Sequence, residues 1–205
     1  MVYMNLRPAI EKAREKLVRC NPGLVSSRAK VIYDQSAGYF KVPFLGCEYN
    51  VSFPGGEVTE TEGRSVPPDV RLLLLHYLTG ASGAPVSGRL ISFKELPDGM
   101  LYNEPFIGRA VKPLVKIFGQ APEKLVEAAE KLGGRQVSLG DAGVTIPFFP
   151  LAPVTYVIWL GDDEFPASGS ILFDASAASH LATEDYAVMA GMGVFKMREM
   201  IAGRE

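Results

Sequence analysis

The chain has 205 residues, 47% apolar and 21% charged, with 21 Lys and Arg against 23 Asp and Glu for a formal net charge of -2. That is close to the globular average, and a chain of this length buries roughly 70% of its unfolded surface, which argues against long disorder and against reliance on staples. Charges of both signs are mixed and no basic stripe tracks a phosphate backbone, so a dedicated nucleic-acid binder is excluded.

The N-terminal run MVYMNLRPAIEKAREK lacks a basic segment followed by an apolar core and does not read as a signal peptide. The apolar run Leu72–Leu75 falls far short of the ~20 residues that span a bilayer. Cys20 and Cys47 read as two reduced thiols rather than a framework. The expectation is one soluble, cytoplasmic domain over residues 1–205, without membrane attachment.

In chain order, Ile10, Ala13, Leu17 and Val18 set against Glu11, Lys12, Glu15 and Lys16 predict an amphipathic helix from about Asn5 to Arg19, stopped by Asn21-Pro22-Gly23. Lys30–Tyr33 and Tyr39–Phe44 flank an Asp/Ser/Gly loop and read as a hairpin with Phe40, Val42 and Phe44 on one face. Glu48–Phe53 continues as a third strand, turned by Pro54-Gly55-Gly56. Pro67-Pro68-Asp69 opens a helix to about Thr79 that is apolar on nearly every side, and so is expected to be buried. Arg89–Phe93 reads as a short strand.

Asn103 is expected to cap a helix that Pro113 kinks or splits. Pro122–Leu132 predicts a helix with Glu127 and Lys131 paired, ended by Gly133-Gly134. Arg135–Leu139 and Val144–Ile146 frame a second hairpin. Val154–Leu160 and Ile171–Phe173 read as strands, and Thr183 as the cap of a last helix reaching about Ile201. Strands grouped between helices predict an α+β fold, a mixed and mainly antiparallel sheet with helices packed around it.

Chemistry concentrates after Pro150. Asp162, Asp163 and Glu164 form an acidic turn between two strands, and adjacent carboxylates must be solvated, cation-bound or paired. Asp174 ends a strand, and Glu184 lies in the first turn of the last helix. Asp163, Glu164, Asp174 and Glu184 are the candidate catalytic carboxylates. Trp159, Phe165 and Phe173 are the candidate apolar walls of a ligand site, with the acids as its rim. His76 reads as a core or interface histidine. Met189, Met192, Met197 and Met200, with Gly191 and Gly193, offer a soft, close-packing helix face. The sequence has no HExxH, GxSxG, P-loop or GxGxxG, and it assigns no metal or cofactor.

The segments Gly134–Ala142, Val157-Ile158-Trp159, Asp163-Glu164-Phe165-Pro166, Leu172-Phe173-Asp174 and Leu181–Asp185 together resemble an uncharacterised domain family of anaerobic bacteria and archaea. Some similar proteins carry an added cysteine-rich segment like that of corrinoid iron–sulfur proteins. Two separated cysteines cannot hold a four-cysteine cluster, so the resemblance implies a setting in anaerobic metallocofactor metabolism (corrinoid, tetrapyrrole or iron–sulfur) rather than a cluster in this chain. It brings no catalytic residues. The leading expectation is a ligand- or partner-binding accessory domain; a carboxylate-dependent, metal-assisted enzyme and a homo-oligomeric scaffold are the alternatives.

Overall fold

The computed structural model describes residues 5–202, so residues 1–4 of the N-terminal reading, and 203–205 at the other end, lie outside it. The chain divides into two compact units. The first runs to Pro85 and takes in Phe149–Leu151 and Ser179–Leu181; the second comprises Val86–Phe148, Ala152–Ala178 and the chain from Ala182.

In the first unit, Ile10, Ala13 and Leu17 bury one face of helix α1 (Arg7–Val18) and leave its charges outward. Asn21, expected only to stop that helix, also starts the next. Its side-chain oxygen accepts Leu24 N–H at 3.1 Å, and Pro22 opens α2 (Pro22–Ala29). Only Val25 and Ala29 are buried in these eight residues, too few to show a period. Strands β1 (Ile32–Asp34), β2 (Tyr39–Phe44), β3 (Cys47–Ser52) and β4 (Val58–Glu60) form an antiparallel meander in sequence order. Phe40, Val42 and Phe44 share its buried face, as their alternation predicts. β4, three residues long, carries too little pattern to be read in advance.

Helix α3 (Pro68–Gly80) packs against α1 and α2, with Leu73, Leu74, Leu75, Tyr77 and Leu78 buried. The Tyr77 hydroxyl donates to Ala29 O at 2.8 Å and accepts Leu151 N–H at 3.2 Å, and its ring stacks on Phe149 at 4.1 Å. Burial raises this phenol well above its ordinary pKa. His76 is half-buried on the same helix. No disulfide joins Cys20 and Cys47.

The second unit is built on a sheet of β5 (Leu90–Ser92), β6 (Arg135–Val137), β7 (Ala142–Phe149), β8 (Ala152–Trp159) and β9 (Ser168–Asp174), in the order β5-β9-β8-β7-β6. The β5–β9, β6–β7 and β8–β9 pairings are antiparallel. Helices α4 (Gly99–Phe106), α5 (Lys112–Phe118), α6 (Pro122–Glu130) and α7 (Thr183–Ala202) complete it, and the fold is α+β.

One helix start differs from expectation, and the break at Pro113 takes an unforeseen form. α4 begins at Gly99, after the capping box of Ser92 and Glu95 and a left-handed Asp98, so Asn103 lies buried inside the helix instead of capping it. Pro113 does mark a break, but the backbone widens rather than ends. Pro113 has no N–H for the carbonyl of Arg109, and residues Ile107–Val111 form a π-helix in which Lys112 N–H bonds Ile107 O. α7 starts at Thr183 as expected, and the Thr183 hydroxyl donates to Pro97 O at 2.6 Å.

Under α7 the close packing is tight. Met189 and Met197 are fully buried, and a Cβ on Gly193 would overlap the Tyr156 hydroxyl and stand 2.7 Å from Phe148 Cζ. Lys131 bonds Glu127 at 2.7 Å and the Met200 carbonyl at 3.1 Å, which ties α6 to the end of α7. Among the described residues, no helix is long and apolar enough to cross a membrane.

Candidate functional site

The paired strands β8 and β9 carry most of the residues singled out in the sequence and place them at opposite ends. Trp159 pairs with Ser168 at one end, and Val154 with Phe173 at the other. Asp174 is therefore about 20 Å along an extended strand from the acidic turn. Trp159, Phe165 and Phe173 do not form one wall, and Asp163 and Glu164 do not meet Asp174. Side-chain alternation fixed their faces, whereas their distance along the strand depended on the register.

Asp174 is 2% exposed and saturated with donors. Its oxygens accept from Ser87 N (2.9 Å), Ser87 Oγ (2.9 Å), Gly88 N (2.7 Å), Ser176 N (2.9 Å) and Ser176 Oγ (2.7 Å). Burial pushes this carboxyl up, but the Ser176 and Ser87 hydrogen bonds together outweigh it and hold it at about 2. It stays ionised and fastens the loop entering β5. Phe173 beside it is wholly buried, packed with Phe93, Phe106 and Tyr186.

At the other end the same residue types face solvent. Trp159 is 41% exposed, Leu160 49% and Phe165 67%. Asp162 folds the turn by accepting Phe165 N–H at 2.7 Å and Glu164 N–H at 2.9 Å, and these bonds lower its pKa. Asp163 and Glu164 are exposed, as is Glu184 in the first turn of α7. Among the described residues, no group of three or more His, Cys, Asp or Glu is arranged to hold a metal ion.

The tip is nevertheless anchored. Asp141 N–H bonds Ile158 O at 2.9 Å, and its carboxylate accepts Leu160 N–H at 2.7 Å. Gly140 permits this with φ +62°; a Cβ there would stand 2.5 Å from Ile158 O.

A concave site lies elsewhere in the second unit, between α5 and α7. An open groove of about 430 Å³ has Pro113, Ile117 and Phe195 as its apolar surface and Lys112, Lys116 and Arg198 around it, with Gly108 of the π-helix at one side. The Arg198 guanidinium sits 5.4 Å from the Phe195 ring centre, a cation–π contact. None of the three cations is in a salt bridge among the described residues, while the neighbouring Glu199 is taken by Lys196 at 3.1 Å. Gly108 meets nothing within 4 Å at its Cβ position, so a side chain there would enter open space.

Half of this groove has a signal in the sequence. Arg109, Lys112 and Lys116 follow one another at helical spacing, and no acid occurs from Pro105 to Pro122. Arg198 and Phe195 join them only through tertiary packing of α7 on the π-helix and α5.

Residues 21–196 match the family described as domain of unknown function DUF3786, and the chain belongs to that family. No curated protein and no solved structure matches it.

Proposed function

We propose that this protein is a cytoplasmic, non-catalytic accessory module that binds acidic groups carried on an apolar body, using the groove between α5 and α7. One observation carries the reading: three cations without acidic partners among the described residues converge on a groove with an aromatic and aliphatic floor. Three like charges side by side repel one another, and an anion relieves that repulsion. The volume falls in the ~300–1,000 Å³ range of ligand sites, but the groove is open, which favours a group presented from outside over an enclosed cofactor.

The anaerobic corrinoid, tetrapyrrole and iron–sulfur setting implied by the resemblance supplies part of the probe set. In this reading the chain is one cooperative domain over residues 1–205, since neither unit is a continuous stretch of chain. Calorimetry should give one transition, and two separated ones would overturn that part.

Calorimetric titration with pyrophosphate, a tetrapyrrole carboxylate and a short acidic-aromatic peptide tests the site. At least one should bind, and Lys112→Glu with Lys116→Glu should weaken it about tenfold or more, ~1.4 kcal/mol. Binding by none of the probes, or equal binding to the double variant, would overturn the reading.

A further inference from the structure

The molecule carries its own complement to the groove. The β8–β9 tip presents Trp159, Leu160 and Phe165 beside exposed Asp163 and Glu164, and the groove presents Phe195, Pro113 and Ile117 beside Lys112, Lys116 and Arg198. We propose that the groove receives the acidic-aromatic tip of a second copy of this chain, so that copies associate head to tail. The inference rests on the groove being a site for acidic groups and names the bearer of those groups.

Three features argue for the second copy as occupant. The first is complementarity in charge and in apolar character. Exposed aromatics flanked by charge are the residues that anchor protein interfaces, and opposite potentials steer the encounter.

The second is preorganisation. Asp162 closes the turn with two backbone bonds and Asp141 straps Leu160, so the tip is ordered before it binds and little chain entropy remains to be lost. Gly161 belongs to the same tight turn, its Cβ position lying 2.7 Å from Ala167 N.

The third is that the tip's base is held on the side of α5 away from the groove's apolar residues. This base is held against α5 at Val115, whose Cγ2 is 2.9 Å from the Cβ position of Gly169, and just past its end at Gly119, whose Cβ position is 3.1 Å from Ala167 Cβ. Those two positions lie on a different side of α5 from Pro113 and Ile117, at ~100° of rotation per residue. A contact between unlike surfaces repeats as a ring or an open chain.

Sedimentation velocity over a concentration series tests this on the full chain. The wild type should associate with rising concentration, and less so on going from about 50 mM to about 500 mM salt, where screening shortens the reach of surface charge. Asp163→Asn with Glu164→Gln neutralises the tip, which then has no charge to pair with a reversed groove; Lys112→Glu with Lys116→Glu removes the groove. All four positions are exposed, and circular dichroism melts confirm that both variants fold.

Each variant alone should remain monomeric, and an equimolar mixture should form dimers and stop there, because it contains one working tip and one working groove. A monomeric wild type, association untouched by either variant, or a mixture that stays monomeric would overturn the proposal. If the wild type is monomeric yet an acidic-aromatic peptide still binds in a Lys112- and Lys116-dependent way, the groove stands and self-association alone falls.

Discussion

The two ends of the β8–β9 pair carry the same kinds of residue and treat them in opposite ways. At the inner end an aromatic and an acid, Phe173 and Asp174, are buried, and every oxygen of the acid is met by Ser87, Gly88 or Ser176. At the outer end Trp159 and Phe165 face solvent, and of three acids only Asp162 is used, to fold its own turn. Residue type alone therefore does not mark a site. The difference is what the backbone brings up to each carboxylate: a returning loop full of N–H groups at one end, open water at the other.

Truncation at equivalent residue types separates the ends most strongly. Phe173→Ala should destabilise by about 4 kcal/mol through a cavity among Phe93, Phe106 and Tyr186. Phe165→Ala should stay within about 0.5 kcal/mol in denaturant unfolding. Similar losses at the two positions would erase the contrast.

The acids repeat the contrast and add a pH window. Asp174→Ala leaves three backbone N–H groups without their acceptor and should cost about 3 kcal/mol, against about 0.5 for Asp163→Ala. The Asp174 carboxyl titrates at about 2 when folded, below the 3.8 of the free group. Its ionised form is thus favoured by folding, a stabilisation of roughly 2 kcal/mol that is complete above about pH 4 and lost as the pH falls toward 2. Urea melts of wild type and Asp174→Asn across that window should converge at its acid end.

Between the ends, Tyr156 pairs with Ile171 and bonds Ala190 O at 3.1 Å, with Gly193 directly above it. Gly193→Ala should cost about 2 kcal/mol by overpacking despite the better helix propensity of Ala. Gly108→Ala, where the Cβ position is open, should be neutral or stabilising by up to about 1 kcal/mol in the same assay.

Much of the fold was legible because the strongest elements carry long patterns: Phe40, Val42 and Phe44 alternate, the α3 leucines are apolar all round, and Gly133-Gly134 follows α6. α2 and β4 were hidden because eight and three residues hold too few apolar positions to establish a period. The π-helix before Pro113 has no local signature beyond the proline. Of the candidate site, the acidic turn between two strands is legible, but the exposure of Trp159 and Phe165 and their separation from Phe173 and Asp174 depend on how the strands pair. The groove was unseen because half of it, Phe195 and Arg198, lies some eighty residues from Lys112 and Lys116 and is joined to them only by packing.

The smallest effect is the one that sharpens the outer end. Asp162→Ala removes the acceptor of the Glu164 and Phe165 N–H groups from an exposed turn, so global stability should hardly change. Local order should fall instead. Amide exchange at Glu164 and Phe165 should speed up while the buried β8 and β9 amides keep their protection. If the tip docks into a groove as proposed, this variant should also associate more weakly than the wild type although Trp159, Phe165, Asp163 and Glu164 are all retained, because ordering the turn is then left to the binding step. Unchanged exchange at those two amides would show that the Asp141 strap and Gly161 hold the turn without Asp162.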